Sequence, residues 1–351
     1  MYPCFFDIFS GYILQRCGIV SVEVKGGLNM KRIIRAACLA ALLFGILPAT
    51  ARAEQLLIPV GRVIGIQLES GSVTVAAFDD VSGSRAREAG LRIGDEILKI
   101  DDRAVRCARD VRSALDNSGS AVVLTVRRSG RLSTIPLEPA RENGTPRLGV
   151  YLRQGIAGIG TVTWYDPETK SFGTLGHGVS DGKGKLVKMT GGRAYEAEIL
   201  SVTKGKCGDP GQLKGSADAG EVFGTLTKNT PQGVFGITEK GWTGTALPAA
   251  DYEEIKTGPA VIRSTVDNCG PREYSVEILK IYPEDRSDCR NLLIRVTDPE
   301  LLKTTGGIVQ GMSGSPICQN GKIVGAVTHV LVNDPTMGYG IFIENMLDAA
   351  G

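Results

Sequence analysis

Histidine is nearly absent from this chain: its 351 residues contain two, His177 and His329. Any base working near neutral pH therefore has only two imidazole candidates. Aromatic residues are scarce, at 6%. Neither sign of charge dominates, with 40 basic against 38 acidic side chains. That balance counts against a nucleic-acid binder, which shows a basic surplus or stripe. An apolar fraction of 42% counts against wholesale disorder. No stretch reaches the roughly 18 to 20 uninterrupted apolar residues of a membrane span. No Gly-x-Gly-x-x-Gly or Gly-Lys-Ser/Thr loop is present, so nucleotide folds are poor readings. No Cys-x-x-Cys or Cys/His cluster is present either, so a zinc site is not expected.

Glycine is what the chain has in excess: 46 residues, roughly twice the usual share of about 7%. With many short Val/Ile runs, this points to strands and tight turns and so to a mostly β fold. At about 150 residues per domain, the length fits roughly two domains.

The first fifty residues read as targeting sequence. Met30-Lys31-Arg32-Ile33-Ile34-Arg35 is a basic start, and Ala36 to Leu47 is a run of 12 apolar or small residues. Ala51-Arg52-Ala53 then offers a small-residue cleavage site, with Glu54 following. This is the three-part pattern of a secretory signal peptide, with an uncleaved anchor as the alternative. Either form exports the rest of the chain. Residues 1–29 fit no targeting pattern, so Met30 is the expected true start. Five cysteines remain after processing: Cys107, Cys207, Cys269, Cys289 and Cys318. Cys269 and Cys289 could pair in an exported compartment.

Residues 62–138 read as short strands around two helical patterns. Ser84 to Glu88 is a helical turn. Gly94-Asp95-Glu96-Ile97 enters a strand, and Val111 and Leu115 share one face of a helix. The run Ala86-x-x-Ala89-Gly90-Leu91-x-x-Gly94-Asp95-x-Ile97-x-x-Ile100 resembles the signature of bacterial PDZ domains. That resemblance implies a peptide groove beside Val63, Ile64, Gly65 and Ile66, where a bound peptide would add a strand. Pro139 to Pro146 reads as the linker, leaving 54–138 for the first module and 147–351 for the second.

The second module is Gly-rich, with short alternating runs such as Gly160 to Tyr165 and Lys322 to Val327. Gly311-Met312-Ser313-Gly314-Ser315-Pro316 resembles the nucleophile loop of chymotrypsin-like serine peptidases. A serine nucleophile needs a sharp turn and two backbone N–H groups facing the developing oxyanion, and flanking glycines permit both. By this match Ser313 is the nucleophile, with Gly311 and Ser313 forming the oxyanion hole. Ser315 is the competing candidate. His177 lies among small neighbours in Gly176-His177-Gly178 and precedes Ser313, as the base does in such peptidases. His329 sits late on an apolar strand, where packing or cleft lining is the expected role. The acid that orients the histidine must lie between His177 and Ser313. Asp298, at a strand end fifteen residues before Ser313, is preferred over Asp181, Asp285 and Asp288.

Together, the signal segment, PDZ signature, Gly176-His177-x-x-Ser180-Asp181 and Gly311-Met312-Ser313-Gly314-Ser315-Pro316-Ile317 resemble the stage IV sporulation protein B family. Ala157 to Thr163, Thr305 to Gln310 and Ala326 to Val330 are also similar to it. These are self-cleaving signalling serine peptidases of spore-forming bacteria. The resemblance implies a PDZ domain followed by a chymotrypsin-like double β-barrel peptidase domain. It implies His177, Asp298 and Ser313 as the triad, and no metal or organic cofactor. It implies action between the forespore and mother-cell membranes. There the substrate would be a membrane-bound regulatory subunit of a processing metalloprotease, whose release activates a late sigma factor. Self-cleavage is expected near Glu54 to Arg62, an extended stretch outside the module patterns. Two other classes compete: a non-catalytic exported PDZ scaffold, and a cysteine hydrolase using Cys207 or Cys318.

Overall fold

The structure, a computed structural model, describes residues 55–182, 184–216, 221–283 and 289–351. The signal-peptide reading and the candidates Asp285 and Asp288 lie outside the described residues. No described helix is long and apolar enough to cross a membrane.

The chain enters as β1 (Leu56–Pro59) and then runs through β2 (Val63–Phe78). β2 continues through Ser70-Gly71-Ser72, and Gly71 takes a left-handed φ of 65° within the strand. The first PDZ helix is α1 (Ser84–Glu88). It is followed by β3 (Glu96–Ile100), the short β4 (Arg103–Ala104), α2 (Ala108–Asp116), β5 (Val122–Arg128) and β6 (Arg131–Leu137). The region expected as a linker is a hairpin, β7 (Ala140–Glu142) and β8 (Thr145–Arg147). Asn143 and Gly144 both have positive φ at its turn, as a tight hairpin requires.

The next strand, β9 (Val150–Tyr165), decides the architecture. Its first residues pair with the far end of β2, Tyr151 opposite Ala77 and Arg153 opposite Thr74. Its later residues pair with the near end of β2, Gly160 opposite Ile64. One antiparallel ribbon thus passes out of a PDZ sheet and into a barrel. The barrel continues through β10 (Ser171–Thr174) and β11 (Gly191–Glu196). A separate hairpin follows, β12 (Glu198–Thr203) with β13 (Gln212–Ser216). The barrel then takes in β14 (Val222–Thr230) and β15 (Gly233–Ile237). It closes in the order β2, β9, β10, β15, β14, β11 and back to β2.

The chain crosses over at β16 (Leu247–Pro248), which pairs with β1. A second closed barrel follows: β17 (Gly258–Ser264), β18 (Arg272–Ile281), β19 (Leu292–Val296), β20 (Pro316–Gln319), β21 (Lys322–Leu331) and β22 (Asp334–Phe342). Helix α3 (Pro299–Thr305) leads into the Ser313 loop, and α4 (Ile343–Ala350) ends the described chain. The fold is therefore mostly β, with a PDZ module and two six-stranded antiparallel barrels.

Alternation along each strand puts apolar side chains inside. Val73, Ile97, Leu124, Val126 and Leu115 build the PDZ core. Ile262, Ile278, Ile294, Ile317 and Val327 belong to the core of the second barrel.

Two expectations are corrected here. Val63, Ile64, Gly65 and Ile66 do not line a PDZ groove. They are buried in β2 and laddered on both sides, Ile64 opposite Glu196 of β11 and Gly160 of β9. Their hydrogen-bonding edges are taken by barrel neighbours, so no peptide can add there. The place beside β2 in the PDZ sheet is held by the start of β9, from beyond the expected linker. Self-cleavage near Arg62 is also at odds with the ladder. β1 pairs with β9 and β16, Leu57 is fully buried, and the Thr265 hydroxyl donates to the Gly61 carbonyl at 2.8 Å.

Candidate active site

The Ser313 loop lies between α3 and β20, and its backbone bonds are divided unequally. The amides of Met312, Gly314 and Ser315 donate to Val309, Val327 and Met312 carbonyls. The amides of Gly311 and Ser313 have no acceptor among the described residues. The peptide groups that carry these two amides are nevertheless fixed through their other ends. The Gln310 carbonyl accepts from the Leu213 amide at 2.8 Å, and the Met312 carbonyl accepts from Ser315 at 2.9 Å. Gly311 has φ of 99° and Gly314 φ of 95°, values that favour glycine. A side chain at 314 would sit 2.0 Å from the Thr161 carbonyl and 2.5 Å from the Leu175 amide. The outcome is two open donors flanking a half-buried serine.

Two elements from different barrels meet at this loop. Gly176, at the entry to the His177 turn, packs against Thr328 of β21. The Thr328 carbonyl accepts the Ser313 hydroxyl at 2.9 Å. His177 lies beside His329, with ring centroids 5.4 Å apart. His177 and Ser313 thus gather at neighbouring residues of β21, His177 by its ring contact with His329 and Ser313 by its bond to Thr328. The His177 Nδ1 atom is 3.1 Å from the Gly178 carbonyl, an arrangement that puts the proton on Nδ1 and leaves Nε2 as the basic nitrogen. Burial pushes this imidazole below its ordinary value of 6.5, against the opposite pull of the Gly178 carbonyl. The imidazole is thus neutral at neutral pH. The Ser313 hydroxyl is turned toward the Thr328 carbonyl and makes no hydrogen bond to His177.

Asp298 is placed elsewhere. Its carboxylate caps α3, accepting the Glu300 and Leu301 amides at 3.0 and 2.9 Å, and lies 3.4 Å from the Ser275 amide. Leu293 of β19 is level with Tyr339, and Tyr339 is level with His329. Asp298 lies five residues beyond that row, past the end of β19. It makes no hydrogen bond to His177, whose Nδ1 faces the Gly178 carbonyl. Asp181 serves its own loop, accepting the Lys185 amide at 3.0 Å. The carbonyl of Gly178 holds the His177 ring where a carboxylate was expected.

Ser315 is fully buried, and its hydroxyl donates to Ser264 at 2.9 Å, which removes it as a nucleophile. Burial pushes the Cys318 thiol up to about 12, so no thiolate forms there near neutral pH. Cys207 is exposed in the Lys206–Asp209 turn. Cys269 is exposed and its thiol forms no disulfide, so the pairing with Cys289 is not made. No group of three or more potential metal ligands occurs among the described residues.

Residues 144–347 match the family profile described as SpoIVB peptidase S55, which is more than half of the chain. The chain belongs to the SpoIVB peptidase S55 family. Residues 81–128 match a PDZ domain profile. Two curated relatives are named as candidate zinc metalloproteases. One, from Agrobacterium fabrum, is 31% identical over 109 residues, covering 31% of this chain and 28% of the relative. The other, from Treponema pallidum, is 31% identical over 80 residues, covering 22% and 18%. The chain thus spans less than a third of the length of either. Among solved structures, the Rv3671c protease from M. tuberculosis in its active form is similar at a TM-score of 0.34 and 18% identity, covering 57% of this chain and 75% of that one. An inactive form of Rv3671c protease gives 0.32 and 16%, covering 56% and 85%. In this S55 member, the residues missed by sequence reading are Thr161, Leu213, Gly178 and Thr328. All act through backbone or buried groups in strands and turns, so the local sequence shows the segment but not the contact.

Proposed function

We propose that this S55 family member is an exported serine endopeptidase. The reading is carried by the two unbonded amides of Gly311 and Ser313 beside a serine hydroxyl and a neutral, half-buried histidine. His177 takes the Ser313 proton through Nε2, and Ser313 Oγ attacks the scissile carbonyl. The oxyanion is received by the Gly311 and Ser313 amides, which are already oriented and so cost no reorganisation. His177 returns the proton to the leaving amine, and water then hydrolyses the acyl-enzyme. The role of a carboxylate in orienting the imidazole falls to the Gly178 carbonyl.

The resemblance to stage IV sporulation protein B supports the finer reading. The substrate is a membrane-bound regulatory subunit of a sporulation processing metalloprotease, met between the forespore and mother-cell membranes. Its cleavage triggers a late sigma factor. The chain also cleaves itself, either N-terminal to Leu56 or after β1 has left its sheet.

Incubation of purified residues 54–351 beside Ser313→Ala, read by intact mass and by fluorophosphonate labelling, tests this. Self-fragmentation and labelling confined to the parent protein are expected. A parent that neither reacts nor cleaves the candidate membrane substrate refutes the peptidase and favours a PDZ scaffold.

A further inference from the structure

Thr161 belongs to the first barrel, yet it bonds to the nucleophile loop of the second. Its hydroxyl donates to the Gly311 carbonyl at 2.9 Å, and its amide donates to the Ser313 carbonyl at 3.0 Å. Its own carbonyl accepts the Thr174 hydroxyl at 2.6 Å and the Leu175 amide at 3.2 Å, on the segment that runs into His177. The residue is fully buried. Every polar group of Thr161 is thus spent on the Ser313 loop or on the segment that leads to His177.

We infer that Thr161 is a positioning residue for acyl transfer, locking the oxyanion loop of one barrel to the histidine segment of the other. This rests on the peptidase reading. The Gly311 carbonyl sits in the chain between the two oxyanion amides. That peptide group turns about ψ of Gly311 and φ of Met312, and only two bonds hold it: the Met312 amide to the Val309 carbonyl at 3.1 Å and the Thr161 hydroxyl to the Gly311 carbonyl. Rotated inward, its oxygen would face the developing negative charge and repel it. The Thr161 hydroxyl holds it outward. The Thr161 amide, bonded to Ser313, fixes the nucleophile in the same frame. Because that amide remains in any variant, removing the hydroxyl isolates the Gly311 contact. Valine keeps the side-chain shape of threonine and loses the hydroxyl, whereas serine keeps the hydroxyl and loses a methyl group.

The test compares the parent, Thr161→Val, Thr161→Ser and Ser313→Ala. Fluorophosphonate labelling rate and self-cleavage rate are measured, with thermal melting to normalise for folded protein. Phosphonylation at Ser313 places an oxygen in the oxyanion hole, so it reads the loop geometry directly. Thr161→Val is expected to label about 30-fold more slowly, below the 10²–10³ loss seen on deleting an oxyanion donor outright. Thr161→Ser should recover most of that rate. Thr161→Val labelling at the parental rate overturns the inference. So does equal slowing of both variants in proportion to lost folded protein, which is the signature of a packing role. If the parent labels no faster than Ser313→Ala, the peptidase reading itself fails.

Discussion

The two barrels are closed by the same number of strands but are embedded differently. In the first, β2 and β9 are 16 residues long and continue into the PDZ sheet. In the second, no strand exceeds ten residues, and the ring is complete in itself. The histidine barrel is therefore covalently and mechanically continuous with the PDZ module. The serine barrel is joined to it by β1, by the Thr161 contacts and by the Leu213 bond. A peptidase site built across this seam depends on both kinds of join.

The largest expected effects fall on one residue from each barrel. Ser313→Ala or His177→Ala should each lower turnover by about 10⁴-fold or more, since the members of such a unit fail together. Comparable rates for the two variants against the parent, in a substrate cleavage assay, check this.

The next test cuts the continuity of the first barrel. Gly155 lies on β9 between its PDZ and barrel halves, with φ of 76°. A Cβ there would lie 1.7 Å from the Leu68 carbonyl, which is backbone and cannot move aside. Gly155→Ala should cost at least about 3 kcal/mol, as strained and overpacked sites do. Chemical denaturation would show it, with loss of PDZ and barrel structure together rather than in sequence. A normal melting curve would mean that the ribbon is not the join described.

Within the PDZ module, Asp95 is 1% exposed and accepts two bonds from the Arg128 guanidinium at 2.7 Å. Burial alone would raise its carboxyl. The Arg128 hydrogen bonds and the Arg92 amide outweigh that and hold it below the ordinary value of 3.8. Asp95→Ala should destabilise by about 3 kcal/mol, because it leaves a half-buried guanidinium unpaired. Since the folded carboxyl titrates below the unfolded one, its stabilisation is complete above pH 3.8 and is lost as pH falls through the lower folded value. Melting curves from neutral to acid pH should therefore converge for parent and variant.

Smaller effects are expected at Asp298. As an N-cap, Asp298→Ala should cost about 1 kcal/mol, and Asp298→Asn should be nearly neutral, since asparagine caps equally well. A fall in turnover of about 10⁴-fold in Asp298→Asn would instead restore it to the triad. The least change lies in the pH profile. A His177 imidazole held below 6.5 by burial stays neutral into mildly acid solution. The acid limb of kcat/KM should accordingly lie below 6.5, and a limb above it would contradict the buried setting.

Local chemistry is legible in the order of the residues. The Gly-rich turn at Gly311 to Ser315 announces a nucleophile, because few residues other than glycine tolerate its backbone. The scarcity of histidine singles out His177. Motifs at Gly90-Leu91 and Gly94-Asp95 mark the PDZ module, since a turn and a buried carboxylate need those residues. Misreadings arise where a local signal has two structural outcomes. Pro139 to Pro146 reads as a linker, but part of it pairs as the β7–β8 hairpin. Asp298-Pro299 reads as a strand-end acid, but an aspartate before proline is equally a helix cap.

Sequence by itself determined the β class and the PDZ and peptidase modules, and it pointed to a candidate nucleophile loop and a candidate base, because each depends on a few adjacent residues. Tertiary structure alone decided that β9 completes the PDZ sheet. It alone set His329 beside His177, committed Asp298 to α3, and placed Thr161 against a loop 150 residues away. Strand pairing over such separations is settled by which apolar faces must be buried together, and no short segment carries that information.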